Sequence, residues 1–293
     1  MLLPKFQYHE PKSIREACGL ITELKGPCAL LAGGTDLVVN LKKRIVQPEN
    51  LIDLSRISEL KTIQKQGKQY RIGSGVTAAE ISASIEIRKN FRALAMAAES
   101  LGSPLVRNLA TIGGNIVNSR PAADFPPALI AYGAKLRLVR EGGERSPDVE
   151  AFIKGPGRTE LAADELAAEI LLDAPLPYTG SAYLKLGIRK ALEISIVNLA
   201  VVLTLEKPNG SIRGARIVMG AVGPTPLRAI TAEKLLLGAK PGEALFAKAG
   251  EAAAGDAKPI DDFRGSAAYR RDIVKVFTRR ALAAAWQDAK AKV

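Results

Sequence analysis

Thr111-Ile112-Gly113-Gly114-Asn115 decides how the rest of the chain is read. Two glycines stand between a hydroxyl and a carboxamide. Lacking Cβ atoms, their backbone N–H groups can approach a ligand closely. Thr111 and Asn115 add side-chain donors. Consecutive N–H groups pointing inward suit an anion, a phosphate above all. A second pair lies far upstream in Ala32-Gly33-Gly34-Thr35-Asp36, directly after the apolar run Ala29-Leu30-Leu31, which reads as a buried strand. Either pair alone is equally well a plain turn. Neither fits Gly-x-Gly-x-x-Gly or Gly-x-x-x-x-Gly-Lys-Ser/Thr, so a Rossmann site is unsupported and a P-loop is excluded. Together they suggest a ligand with two phosphates, cradled by two separate segments.

Composition narrows the chemistry. Of 293 residues, 47% are hydrophobic and 25% charged, which suits one large globular domain or two smaller ones. No apolar run is long enough for a transmembrane helix. Met1-Leu2-Leu3-Pro4-Lys5 lacks the basic region and apolar core of a signal peptide, so a cytoplasmic protein is expected. The two cysteines, Cys18 and Cys28, cannot ligate an iron–sulfur cluster, and with the single histidine, His9, a zinc site or histidine triad is not readily made. Both cysteines read as buried structural thiols. Chemistry must come from a bound cofactor or from carboxylates and lysines. A net charge of +12 raises nucleic-acid binding. The basic clusters are short and scattered, however, and aromatics are only 5%. Base stacking is therefore poorly supported. Solvated helix faces are the first reading of these clusters, and an acidic ligand or partner the second.

Outward from the glycine stretches, the pattern is mixed. Phe6 and Tyr8 mark a short edge strand. Ser13-x-x-Glu16 is a capping box opening a helix stopped by Gly26-Pro27. With Cys28–Ala32, a turn or two of helix from Leu37, and Leu51–Leu54, this makes a small β-α-β-α-β lobe. Strands at Lys61–Lys65 and Gln69–Gly73 form a hairpin. Thr77-x-x-Glu80 caps another helix, Phe91–Leu101 is helical, Pro127–Tyr132 is a helical turn, and Lys135–Arg140 and Glu169–Leu172 are strands. Pro175-Leu176-Pro177 marks a domain boundary. Beyond it come strands at Ser181–Leu186, Leu199–Glu206 and Ser211–Gly220, the last two joined by an Asn209-Gly210 hairpin turn. Helices follow at Ala229–Leu236, Ala244–Ala253 and from Ser266.

Four ordered motifs now carry a resemblance. They are Leu31-Ala-Gly-Gly-Thr-Asp36; Ala110-Thr-Ile-Gly-Gly-Asn-Ile116 with Pro121-Ala-Ala-Asp124; Lys185-Leu-Gly-Ile-Arg189; and Asp262-Phe-Arg-Gly-Ser-Ala-Ala-Tyr-Arg-Arg271. Over essentially its whole length the chain resembles the FAD-binding medium subunit of the xanthine dehydrogenase and carbon monoxide dehydrogenase family, the molybdenum hydroxylases. The resemblance implies an α+β fold. Residues 1–176 would form a vanillyl-alcohol-oxidase (PCMH)-type FAD-binding domain, with lobes of about 1–55 and 56–176. Residues 177–293 would form a C-terminal lobe with a three-stranded antiparallel sheet and helices.

The resemblance also implies noncovalent FAD. Ala32, Gly33, Gly34, Thr35 and Asp36, with Thr111, Ile112, Gly113, Gly114 and Asn115, would meet its pyrophosphate region. Asp124 would take cofactor hydroxyls, because a carboxylate repels a diphosphate. Leu101 and Gly102 would pack beside the isoalloxazine, Leu166 would meet the ring through its backbone, and Lys185 would sit at its pyrimidine edge. Asp124 equally suits a helix cap, Leu101 and Leu166 the core, and Lys185 an exposed strand. The segment Lys190–Ile194, expected over one flavin face, holds no aromatic residue. No side chain is expected to be catalytic, and no metal is expected on this chain. The molybdenum cofactor and 2Fe–2S clusters would belong to partners: an iron–sulfur small subunit and a molybdopterin large subunit, assembled as a dimer of heterotrimers serving an external electron acceptor. The cysteine-bearing insertion of the 4-hydroxybenzoyl-CoA reductase branch is absent. A stand-alone FAD oxidoreductase is the alternative within the enzyme class. A nucleic-acid-binding protein would rest on charge alone.

Overall fold

A computed structural model describes residues 3–189 and 192–292. It begins with a small parallel sheet. Strands β1 (Gln7–His9), β2 (Cys28–Leu31) and β3 (Asn50–Asp53) alternate with helices α1 (Ile14–Glu23) and α2 (Leu37–Lys42), in spatial order β1-β3-β2. The β-α-β-α-β lobe is therefore as expected. Ser13 caps α1 by accepting from the Glu16 N–H at 3.1 Å. One expectation fails here. β2 is an edge strand, so one of its flanks has no neighbouring strand. Ala29, Leu30 and Leu31 are half-buried rather than buried, and Cys28 is exposed. Only Cys18 is a buried thiol; it packs with Ala17, Ile52, Leu54 and Leu166.

The hairpin strands β4 (Ile63–Gln66) and β5 (Gln69–Gly73) open the second sheet. Six short helices follow: α3 (Ala78–Ala83), α4 (Ile85–Asn90), α5 (Arg92–Ser100), α6 (Pro104–Arg107), α7 (Ile112–Val117) and α8 (Phe125–Tyr132). Thr77 and Glu80 make the predicted reciprocal capping box. After β6 (Lys135–Arg140), β7 (Gly143–Arg145), α9 (Val149–Phe152) and the hairpin β8 (Ile153–Gly155)–β9 (Arg158–Thr159), the long strand β10 (Leu166–Asp173) returns. The sheet order is β4-β5-β10-β6-β7, antiparallel throughout. Its core centres on Phe91, which meets Tyr70 and Tyr132 edge-to-face at 5.0 and 5.1 Å. Each such pair contributes roughly 0.5–1.5 kcal/mol beyond area burial.

Strands β11 (Thr179–Leu186), β12 (Val197–Leu205), β13 (Ile212–Gly220) and β14 (Leu227–Arg228) form the last sheet, in sequence order. The implied three strands are present, and the two-residue β14 adds a fourth at the edge of β13. Asn209 turns the β12–β13 hairpin at φ 58°. Helices α10 (Ile230–Leu236), α11 (Glu243–Asp256) and α12 (Ala267–Ala291) cover the sheet. Near the end of α12, the Asp288 carboxylate accepts from the Ser181 backbone N–H at 2.9 Å and pairs with Arg92 of α5 at 3.3 Å. The Ser181 hydroxyl in turn accepts from the Ala93 N–H. Together these contacts fasten the C-terminal sheet onto the helices of the preceding part.

Candidate cofactor site

A cleft of about 1250 Å³ runs between the small lobe, the α6–α8 region and the C-terminal part. Ordinary small-molecule pockets hold roughly 300–1,000 Å³, so this one suits a dinucleotide. Its first wall is the turn between β2 and α2. The backbone N–H groups of Gly33, Gly34, Thr35 and Asp36 have no protein acceptor among the described residues. Four free amides in one turn, with Gly34 at φ 69°, have the chemistry that suits an anion.

The central Thr111–Asn115 stretch differs from the loop expected. Its glycines lie in the first turn of α7, because Thr111 caps that helix by accepting from the Gly114 N–H at 3.2 Å. The Ile112 N–H donates to Val76 O and the Gly113 N–H to Ser74 O. The expected inward-pointing amides are thus engaged within the protein. Gly113 is buried, and a Cβ there would lie 2.5 Å from the Ser74 Cβ. Gly114 is exposed towards the cleft. Asn115 lies on its wall, with Oδ1 accepting from the Phe125 N–H at 3.3 Å. The two glycine segments meet directly: a Cβ on Gly33 would fall 1.8 Å from Leu109 O.

Most sequence-derived positions converge here. Ala32, Gly33, Gly34, Thr35 and Asp36 line the cleft, as do Leu101, Gly102, Thr111, Gly114, Asn115 and Asp124. Ile112, Gly113, Leu166 and Lys185 do not line it. Leu166 is buried in the small-lobe core, at the end of β10. Lys185 lies behind the wall, its side chain 10% exposed. Its Nζ donates to the Asp124 carboxylate at 3.0 Å and to Ser100 O at 3.1 Å. Tyr183 and Ser195 donate to the same carboxylate at 2.9 and 3.2 Å. Asp124 is therefore already engaged by three donors. Burial pushes its carboxyl above the usual carboxylate range, while Lys185, Tyr183 and Ser195 pull it back. Burial first, and Asp124 second, push the Tyr183 hydroxyl well above its ordinary value, so it stays a donor.

Several wall residues carried no assigned role in the sequence. Arg264 and Arg270 lie inside the fourth motif, whose chemistry the spacing did not reveal. Arg270 is buried, donating to Ala221 O at 2.8 Å and to Asp262 at 2.6 Å, with Nε unpartnered among the described residues. Burial pushes Asp262 up, but hydrogen bonds from the Arg264 N–H and from Arg270 hold it below the carboxylate range. Ser195 and Ile194 also line the cleft, and Ile194 is the aliphatic group the aromatic-free segment supplies. Lys190 and Ala191 of that segment lie outside the described residues.

A long cleft with free amides at one end, shared between two lobes and a C-terminal sheet, defines an FAD-binding protein. Residues 4–175 match the family described as the FAD binding domain in molybdopterin dehydrogenase, and residues 182–285 match the CO dehydrogenase flavoprotein C-terminal domain. The chain belongs to this family of flavoprotein subunits, and FAD is its cofactor. It is 36% identical to the carbon monoxide dehydrogenase medium chain of Hydrogenophaga pseudoflava, over 98% of this chain and 99% of that one. It is 30% identical to the xanthine dehydrogenase FAD-binding subunit of Escherichia coli O157:H7, over 98% of each. The solved Hydrogenophaga pseudoflava carbon monoxide dehydrogenase lacking the Mo-pyranopterin moiety contains a chain that superposes with a TM-score of 0.92, at 35% identity, over 98% of this chain and 99% of that one. Among the described residues, no helix is long and apolar enough to cross a membrane.

Proposed function

We propose that this chain is the electron-transfer subunit of a heteromeric molybdenum hydroxylase, holding FAD in the cleft between its glycine segments. Bound there, FAD would take electrons from iron–sulfur clusters and release them to an external acceptor. The observation that carries the reading is the turn at Gly33–Asp36, which lines a cleft of dinucleotide size and whose four amides have no protein acceptor among the described residues. These amides would hold the pyrophosphate. Gly114, without a side chain, would leave it room, and the Asn115 amide would donate. Leu101, Gly102 and Ile194 offer the apolar wall for the ring. Asp124 lies on the wall itself, and Lys185 would hold it from behind.

The division of the chain belongs to the same proposal: residues 1–176 bind the flavin, and 177–293 form the C-terminal part. The Pro175-Leu176-Pro177 stretch between β10 and β11 supports it, since proline stiffens a connection. The partners are an iron–sulfur subunit and a molybdopterin subunit, in a dimer of heterotrimers. A cytoplasmic location suits two free thiols. Relatives named for carbon monoxide and for xanthine leave the organic substrate to the partner chain.

Co-expression with the neighbouring subunits tests the reading. The purified complex should bleach its flavin anaerobically when the organic substrate is added, whereas the isolated FAD-loaded chain should not. Bleaching of the isolated chain by a small substrate would sink the subunit reading in favour of a stand-alone oxidoreductase.

A further inference from the structure

The buried side-chain cluster behind the cleft has a consequence for the flavin that rests on the FAD reading above. Lys185 Nζ and Asp124 Oδ1 are 2.9 Å apart, and their side chains are 10% and 9% exposed. Two opposite charges this close and this far out of solvent form a pair with no net charge. A neutral pair projects a dipole field, which decays faster than the field of a lone cation. The same carboxylate reaches two parts of the wall. Through Lys185 it reaches Ser100 O, next to Leu101 and Gly102, and it accepts directly from Ser195, next to Ile194. Asn198 braces the second part by donating to Ser195 Oγ and Ala123 O.

We propose that Asp124 and Lys185 act on the bound flavin as one neutral unit, so that the pair, not the lysine alone, sets the field on that side of the cleft. Reduction adds negative charge to the cofactor, so an uncompensated cation nearby favours the reduced form and an uncompensated anion opposes it.

A double-replacement cycle on the FAD-loaded full chain tests this, with the two-electron midpoint potential read by anaerobic dye titration. Lys185→Met should lower the potential and Asp124→Asn should raise it by a similar amount. The double variant, with both charges gone, should return to the wild-type value. A double variant that tracks Lys185→Met would show the lysine acting alone and overturn the proposal, as would an Asp124→Asn potential that is unchanged or lower. Should a single variant fail to fold or to hold flavin, the double variant and Lys185→Arg decide. Both leave the site neutral, so a shift in either as large as the wild-type scatter several times over counts against the pair. Wild-type protein that binds no FAD at all would be a failure of the FAD reading, and is seen before any titration begins.

Discussion

Where a side chain would begin, Gly33 meets a backbone carbonyl, Gly113 meets Ser74 and Gly34 meets the Leu31 and Val38 side chains, whereas Gly114 meets only Thr111 Oγ1. That division was invisible in the sequence, because the obstructing atoms, Leu109 O and the Ser74 Cβ, are remote in the chain or on another element. The glycine pairs themselves were legible, as were Thr111 and Asp36 beside them. The split yields contrasting outcomes. Gly33→Ala forces a methyl onto a backbone carbonyl, and overpacking of this kind costs roughly 1–3 kcal/mol. Its melting temperature should fall along with its flavin content. Gly114→Val meets only Thr111 Oγ1, at 2.9 Å. It should keep a folded chain with near-wild-type far-UV circular dichroism while losing flavin absorbance. Full flavin occupancy in folded Gly114→Val would remove this residue from the cofactor's path. Lys185 was legible as a site residue only through resemblance. Its engagement by Asp124, 61 residues away in the chain, is tertiary, and no local pattern encodes it.

Elements were read more reliably than their surroundings. The Thr77–Glu80 capping box, the Asn209-Gly210 hairpin and the β-α-β-α-β lobe follow from short-range chemistry, and each appears within a few residues of its expected place. At the expected Ser13 box only the serine's half forms, Glu16 accepting from the Lys12 N–H instead. Helix α7 was missed because two glycines argue against helix by propensity, while the Thr111 cap and the amides given to Val76 O and Ser74 O hold it in place. Thr111→Val should therefore destabilise by about 1 kcal/mol, the usual loss for an N-cap. Urea unfolding with an unchanged m-value would measure it. Strand β2 was misjudged because an apolar run does not say whether a strand has one neighbour or two. The exposed Cys28 follows. Burial and then Glu49 push its thiol above the ordinary range, so thiolate is scarce at neutral pH and grows as pH rises through the shifted value. A thiol reagent should label Cys28 slowly at pH 7 and faster at alkaline pH, while Cys18 reacts only after unfolding. Mass spectrometry of peptides would assign the label, and equal labelling of both cysteines in folded protein would contradict the burial difference.

At the scale of the molecule, the order of strands and helices was legible. The cleft wall contributed from the C-terminal part was not, since Arg264 and Arg270 join Asp124 only through the tertiary fold. Two cysteines set a firmer expectation for cargo. The isolated chain should carry about one flavin and neither iron nor molybdenum, because a cluster needs about four cysteine ligands. Elemental analysis finding stoichiometric iron on this chain alone would refute the assignment of the clusters to a partner.

Helix α12 has a consequence for biosynthesis. It supplies Arg270 to the cleft and Asp288 to the junction with Ser181 and Arg92, and it follows the glycine segments in the chain. A chain lacking it has the glycine turn but neither Arg270 at the far wall nor the Asp288 fastening. Stable loading with FAD should therefore need α12 in place. A chain halted before Ser266 should emerge colourless even in a flavin-rich cell, and yellow truncated protein would show that the cleft matures earlier.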